Sequence, residues 1–210
     1  MTKLNTNTVQ RRTNNLIHLS TIVRQFMAVQ RATTVDGRSE TDGEHTLHLQ
    51  FLAVSYAAEF HPRLDIGLVS QFALIHDFVE VYANDTPTLL ADQQALLEKA
   101  VREERALLEL RAQLGDAWPY LMNLVDRYEA LEDDEARFVR CFDKCDPIFR
   151  HLDDRGVALH RLGIITAASY ASANDKVRER ILDYSAGFED VLAVREQLQN
   201  RVARTVFSEL

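Results

Sequence analysis

Helical periodicity runs through this chain with few interruptions, and it leaves no room for a core built on a sheet. Apolar residues return every three or four positions from residue 14 onward. No segment alternates with period two over more than a few residues, and no glycine-rich strand-to-helix turn occurs. The fold class that follows is all-α. Leu16, Leu19, Ile22, Val23, Phe26 and Val29 mark a first helix over 14–30, and a second runs over 44–60. A third, over 64–82, is apolar on most sides and is expected at the centre. A long charged helix over 90–114 ends at Gly115, and a shorter one follows over 118–131. Residues 133–153 read as one helix that buries Phe138, Val139, Phe142, Ile148, Phe149 and Leu152 and stops at Gly156. Residues 31–43 carry Gly37, Gly43 and no periodicity, which predicts a long ordered loop. The tail, 174–207, offers one or two amphipathic helices broken at Gly187.

A chain of 210 residues can bury a core large enough to hold a ligand cavity. Its formal charge of -8 opposes broad contact with a phosphate backbone, so nucleic acid is not an expected partner. A small anion remains compatible, because a bound cation and one or two arginines reverse the field inside a pocket. The two cysteines, Cys141 and Cys145, stand four apart and read as reduced thiols in a helical core. No N-terminal segment has the form of a leader, and no apolar run approaches the roughly 20 residues of a bilayer span. The expectation is a cytoplasmic protein without a membrane partner.

Three titratable residues sit where the third helix should be core: His76, Asp77 and Glu80. Unpaired, they would be costly to bury. On a helix His76 and Asp77 flank one direction and Glu80 lies a turn above both, so all three can reach one point. Alone, such a group has a plain explanation, since a buried imidazole can bind a carbonyl and an Asp-Glu pair can face water. Its company argues otherwise. Glu44-His45 opens the preceding helix, His48 follows one turn later, and Asp143 lies inside a hydrophobic run on a later helix. Imidazoles and carboxylates from three helices suit a divalent cation, and helical bundles build metal sites in their cores this way.

The order of these residues resembles the HD superfamily of metal-dependent phosphohydrolases, and most closely the bacterial 5'-deoxynucleotidases. Arg38-Ser39-Glu40-Thr41-Asp42-Gly43-Glu44-His45 is similar to their R-S/T-E-x-x-x-E-H stretch. His76-Asp77, Glu80, Asp85, Pro87 and Thr88 meet their H-D-x-x-E-x-x-x-x-D-x-P-T pattern, and Ala136, Phe138, Val139, Asp143 and Lys144 meet A-x-F-V-x-x-x-D-K. The resemblance covers about residues 14 to 155 and implies an HD-domain helical bundle over 1–155. The remainder, 156–210, becomes a C-terminal helical extension that packs on the same domain or covers a homodimer interface.

Carried over by position, the resemblance makes His45, His76, Asp77 and Asp143 the ligands of one divalent metal ion, with Mn, Co, Mg, Ni, Fe and Zn all open. His48 is the alternative to His45; the family pattern selects His45 and leaves His48 behind it. Glu80 becomes the catalytic carboxylate, acting on the attacking water or the leaving oxygen. Arg31 would bind phosphate, although an ordinary helix C-terminal cation is an equal reading. Asp85 would contact the sugar, while Lys144 pairs with a neighbouring carboxylate or approaches phosphate. His18, His61, His151 and His160 belong to no motif and read as surface or packing residues.

The implied reaction releases phosphate from a nucleoside 5'-monophosphate. The alternatives are a nucleoside triphosphate triphosphohydrolase and a degenerate HD-fold binding or scaffold protein. Two departures bear on this. The tryptophan that follows the phosphate arginine in the deoxynucleotidases is replaced by Ala32-Thr33-Thr34, which weakens the case for deoxyribose selectivity. No histidine lies between Asp77 and Asp143, which favours a single metal ion over the dinuclear arrangement.

Overall fold

The computed structural model describes residues 5–207. It is helical apart from one small hairpin, so the all-α class holds in essence. The chain runs through α1 (Thr6–Met27), β1 (Gln30–Val35), β2 (Arg38–Thr41), α2 (Asp42–Phe60), α3 (Ile66–Ile75) and α4 (Glu80–Ala83). It continues with α5 (Gln93–Leu114), α6 (Pro119–Ala130), α7 (Asp134–Asp143), α8 (Asp146–Asp153), α9 (Val157–Arg161), α10 (Ala167–Leu182) and α11 (Glu189–Val206).

Local chemistry sets most of these boundaries. Thr41 and Glu44 form a reciprocal capping box that starts α2 two residues before the expected Glu44. Asp65 and Asp92 cap α3 and α5 through the amides of Leu68 and Ala95, and Pro119 occupies the first turn of α6. Gly156 lies at φ 78°, where a side chain would be strained, and a Cβ there would meet Val206 Cγ1 at 2.3 Å.

Four boundaries differ from the sequence reading. The first helix begins at Thr6 and ends at Met27, rather than covering 14–30. Residues 31–43, expected as a loop, contain most of an antiparallel hairpin that pairs Gln30 with Thr41 and Val35 with Arg38. Its turn is Asp36-Gly37, both at positive φ. Thr33 donates across the hairpin to Glu40 at 2.6 Å, and two bonds come from outside the strands: Arg150 donates to Glu40 at 2.6 Å, and Thr34 bonds Asp154. The expected helix over 64–82 is interrupted between Ile75 and Glu80, where i→i−3 bonds such as Glu80 N to Asp77 O (2.8 Å) replace the helical ladder. Residues 133–153 likewise divide at Lys144-Cys145. Segment 66–83 is apolar enough by composition to match a bilayer span, yet it is broken in this way and half buried inside the fold.

The core joins α2, α3, α7 and the C-terminal helices. Leu49, Ala53 and Ala57 of α2 meet Val69, Phe72 and Ala73 of α3, and the alanines let the two helices approach closely. Phe138, Val139 and Phe142 of α7 belong to the same cluster, as do Val177, Ile181, Phe188 and Val191 beyond residue 156. Burial of each phenylalanine contributes about 1.5–3 kcal/mol, so α7 is anchored firmly and Asp143 at its end is held in place. Cys141 and Cys145 are free and buried. A second cluster, with Ile148, Leu159, Ile164, Tyr170 and Val202, ties α8 and α9 to α10 and α11.

Candidate metal centre and adjoining cleft

Both helix interruptions fall at the polar motifs, and they aim those side chains at one point. His76 and Asp77 leave the end of α3, Asp143 ends α7, and His45 stands in the first turns of α2. His45 Nε2 lies 3.0 Å from His76 Nε2 and 3.0 Å from Asp143 Oδ1. Asp77 Oδ2 lies 2.9 Å from His76 Nε2 and 3.6 Å from His45 Nε2, and His76 Nε2 is 3.7 Å from Asp143 Oδ1. One ligand atom from each of the four residues falls within 4.8 Å of the others. Adjacent ligands about 2.1 Å from an octahedral ion stand roughly 3 Å apart, so these spacings suit a single cation.

The hydrogen-bond chemistry of the rings agrees. His76 Nδ1 donates to the Ala73 carbonyl at 2.9 Å, which turns Nε2 toward the cluster. His45 Nδ1 donates to Asp146 Oδ2 at 2.8 Å. The four ligand atoms thus converge, and the bond from His45 Nε2 to the Asp143 carboxylate places a proton on that nitrogen. Burial and Arg31 push the His45 pKa down, but hydrogen bonds to Asp143 and Asp146 outweigh them and raise it to about 10. A divalent cation can take the place of that proton.

Charge around the cluster is predominantly acidic. Burial and the neighbouring Asp77 raise Asp42 to about 6, and burial with Asp77 and Asp85 raises Glu80 well above the usual carboxylate range. Glu80 is buried, lies 3.4 Å from Lys99 through Oε1, and has no hydrogen-bond partner at Oε2. It is not among the four converging groups; its carboxylate clusters instead with Asp42 and Asp77. Arg31 lies among these acids, donating at 2.8 Å to both Asp42 and Asp77 and standing 3.8 Å from Glu80. Lys144 pairs with Asp143 Oδ2 at 2.6 Å. Arg31, Asp85, Asp143 and Lys144 line one cleft, together with Ala32 and Thr88.

A family comparison matches residues 23–184 to the HD domain. The chain belongs to the HD domain family. This HD-domain chain is also 29% identical over 136 residues to the mouse (Mus musculus) protein named 5'-deoxynucleotidase HDDC2, covering 64% of the chain and 67% of that relative. Its bovine (Bos taurus) counterpart is 28% identical over 137 residues, covering 65% of the chain and 66% of that relative. The chain thus spans about two thirds of the length of the curated relatives it matches. Among solved structures, a protein of Magnetospirillum magnetotacticum MS-1, described as a predicted metal-dependent phosphohydrolase, aligns with TM-score 0.69 and 27% identity over 91% of this chain and 96% of that one. A conserved hypothetical protein of Pyrococcus furiosus shares the fold, at TM-score 0.55 and 18% identity over 86% of this chain and 99% of that one. The HD-domain chain is accordingly a hydrolase of the metal-dependent phosphohydrolase kind.

Sequence reasoning passed over three neighbours of this HD-domain cluster. Asp146 holds His45 from behind and also accepts from His48 Nδ1 at 2.5 Å, which leaves His48 outside the converging group. Its only signal was the Asp143-x-x-Asp146 spacing. Lys99 reaches Glu80 from the charged face of α5, where a lysine is unremarkable. Asp42, buried at the start of α2, read as part of a loop.

Proposed function

We propose that this HD-domain hydrolase releases phosphate from a nucleoside 5'-monophosphate, using one divalent cation held by His45, His76, Asp77 and Asp143. The observation that carries the reading is the convergence of two imidazole nitrogens and two carboxylate oxygens within 4.8 Å, beside a cleft that Asp143 lines together with Arg31, Asp85 and Lys144. The names of the mouse and bovine relatives support the substrate class.

When bound, the cation acidifies water and withdraws charge from the phosphoryl oxygens. Arg31 and Lys144 supply donors to the remaining phosphate oxygens, each giving up part of its contact with Asp77 or Asp143. Glu80, whose Oε2 is buried and unpartnered, accepts the proton of the attacking water and returns it to the leaving sugar oxygen. Burial beside Asp77 and Asp85 raises its pKa, which favours its holding the proton between the two transfers. Asp85, at the cleft wall, accepts from a sugar hydroxyl.

The test is product counting. Incubation with dAMP and with dATP, with Mn, Co, Mg, Ni, Fe and Zn supplied separately, should yield inorganic phosphate from dAMP. Release of inorganic triphosphate from dATP without turnover of dAMP would establish the triphosphohydrolase alternative, and no turnover of either with metal bound would favour a binding protein.

A further inference from the structure

The cleft does not end at Lys144. Ile148 and His151 of α8, Ala158 of α9, Val177 of α10 and Arg195 of α11 line it as well. Neither Arg195 nor His151 belongs to the metal cluster or to any of the three motifs.

Arg195 is 4% exposed, yet among the described residues no carboxylate lies within 4.0 Å of it. The guanidiniums of Arg31, Arg140 and Arg150 each have such a partner. Arg195 has only neutral ones: Nε donates to the Lys144 carbonyl at 3.1 Å, Nη2 donates to Asn174 Oδ1 at 2.8 Å and to the Gln199 side-chain oxygen at 2.9 Å, and Nη1 donates to that same oxygen. Burial lowers its pKa, whereas Arg31 is raised despite burial by Asp77, Asp85, Glu80 and Asp42, and Arg140 by Tyr128 and Glu129. Removing a charge from water without a counter-charge is costly unless something else offsets it. His151 has the same shortage in milder form. It is 5% exposed, lines the same cleft, and its Nδ1 is buried without a hydrogen-bond partner. Burial pushes it down to about 4, so the ring is neutral near pH 7.

A cleft with largely apolar walls that also holds a buried cation without a counter-charge and an imidazole nitrogen without a partner has polar capacity left for a ligand. We propose that Arg195 and His151 form the base-selecting end of the pocket, where they receive the keto oxygen of a nucleobase while the scissile phosphate lies at Arg31. The inference rests on the nucleotidase reading and deepens it. The largely apolar lining favours a heterocycle over a second phosphate, which would need several more donors than Arg195 and His151 provide. Arginine offers donors only, so it favours guanine and thymine, which present a carbonyl where adenine and cytosine present an amino group.

The experiment compares kcat/KM for dGMP and dTMP with that for dAMP and dCMP, in the wild type, Arg195→Met and Arg195→Lys. The wild type should favour the keto pair by about ten-fold or more, as expected of a site that hydrogen-bonds its substrate. Arg195→Met should collapse that ratio towards unity. Arg195→Lys keeps the charge but loses the fork, and should reduce the ratio even if the methionine variant fails to fold. A wild type without keto preference, or variants that slow all four substrates by one factor, would overturn the proposal. Should the wild type turn over none of the four, the nucleotidase reading fails by itself. Binding of thymidine and 2'-deoxyguanosine, measured by calorimetry, then decides the pocket: Arg195-dependent binding upholds this assignment, and binding that is absent or indifferent to Arg195 ends it.

Discussion

Asp146 stands directly behind His45, with its Oδ2 2.8 Å from His45 Nδ1, so that the ring can turn only Nε2 toward His76 and Asp143. The two residues are 101 positions apart, and α2 and α8 bring them together inside the buried core. This carboxylate–imidazole contact fixes the tautomer and increases the electron density at Nε2.

Replacing Asp146 with Asn should therefore weaken metal binding by about 10- to 100-fold without unfolding the helices. Metal titration followed by spectroscopy or calorimetry, beside a circular dichroism spectrum, checks it. Unchanged affinity would show that His45 is oriented by packing alone.

Metal uptake should release about one proton near pH 8, because the His45 ring, at about 10 without a cation, must give up its Nε2 proton to bind one. Affinity should accordingly rise with pH until that value is approached. Calorimetry in two buffers of different ionisation enthalpy counts the proton. A buffer-independent heat would contradict the assignment of His45.

Glu80→Gln should separate chemistry from assembly. The glutamine keeps the size of the side chain but cannot take a proton, so kcat should fall by roughly 10² to 10⁴. Metal content should stay the same, since Glu80 lies outside the four-residue cluster. Loss of metal in this variant would place Glu80 among the ligands instead.

Ala32 lines the cleft next to Arg31, and under the proposed function so small a side chain would leave room for a ribose 2'-hydroxyl. The ratio of kcat/KM for dAMP over AMP should fall within the roughly 10- to 200-fold range of a steric pocket, or below it. A much larger ratio would mean that another side chain fills the space.

His151 makes stability depend on pH in a definite direction. The unfolded chain takes up its proton near 6.5, the folded chain only near 4. Acid therefore favours the unfolded state: the contribution is complete above about 6.5 and is lost as pH falls toward 4. The shift corresponds to about 3 kcal/mol at most. Urea unfolding of the wild type and His151→Leu at pH 7 and pH 4 should show a smaller pH effect in the variant. Equal slopes would mean that His151 titrates normally.

Much of this molecule is written locally. The stripe of Phe138, Val139 and Phe142, the cap at Thr41 and Glu44 and the stop at Gly156 act within a turn or two of helix, which is why the helices and their order can be read from spacing. The interruptions after Ile75 and Asp143 cannot, because the apolar period continues through both. The hairpin escaped for a related reason. Its polar strands gain their hold from Arg150 and Asp154, more than a hundred residues away.

The sequence by itself determined the chemical types at the centre, two imidazoles and two carboxylates on core-facing segments, since burying such groups in an apolar pattern demands a partner. Only the tertiary structure decided that Asp146 stands behind His45, that Lys99 reaches Glu80, and that Arg195 lines the cleft from a distant helix. Periodicity says which face of a helix is buried, but not how deep along that face a neighbour crosses. Those choices depend on distances of a few ångströms between elements that are remote in sequence, and packing alone sets them.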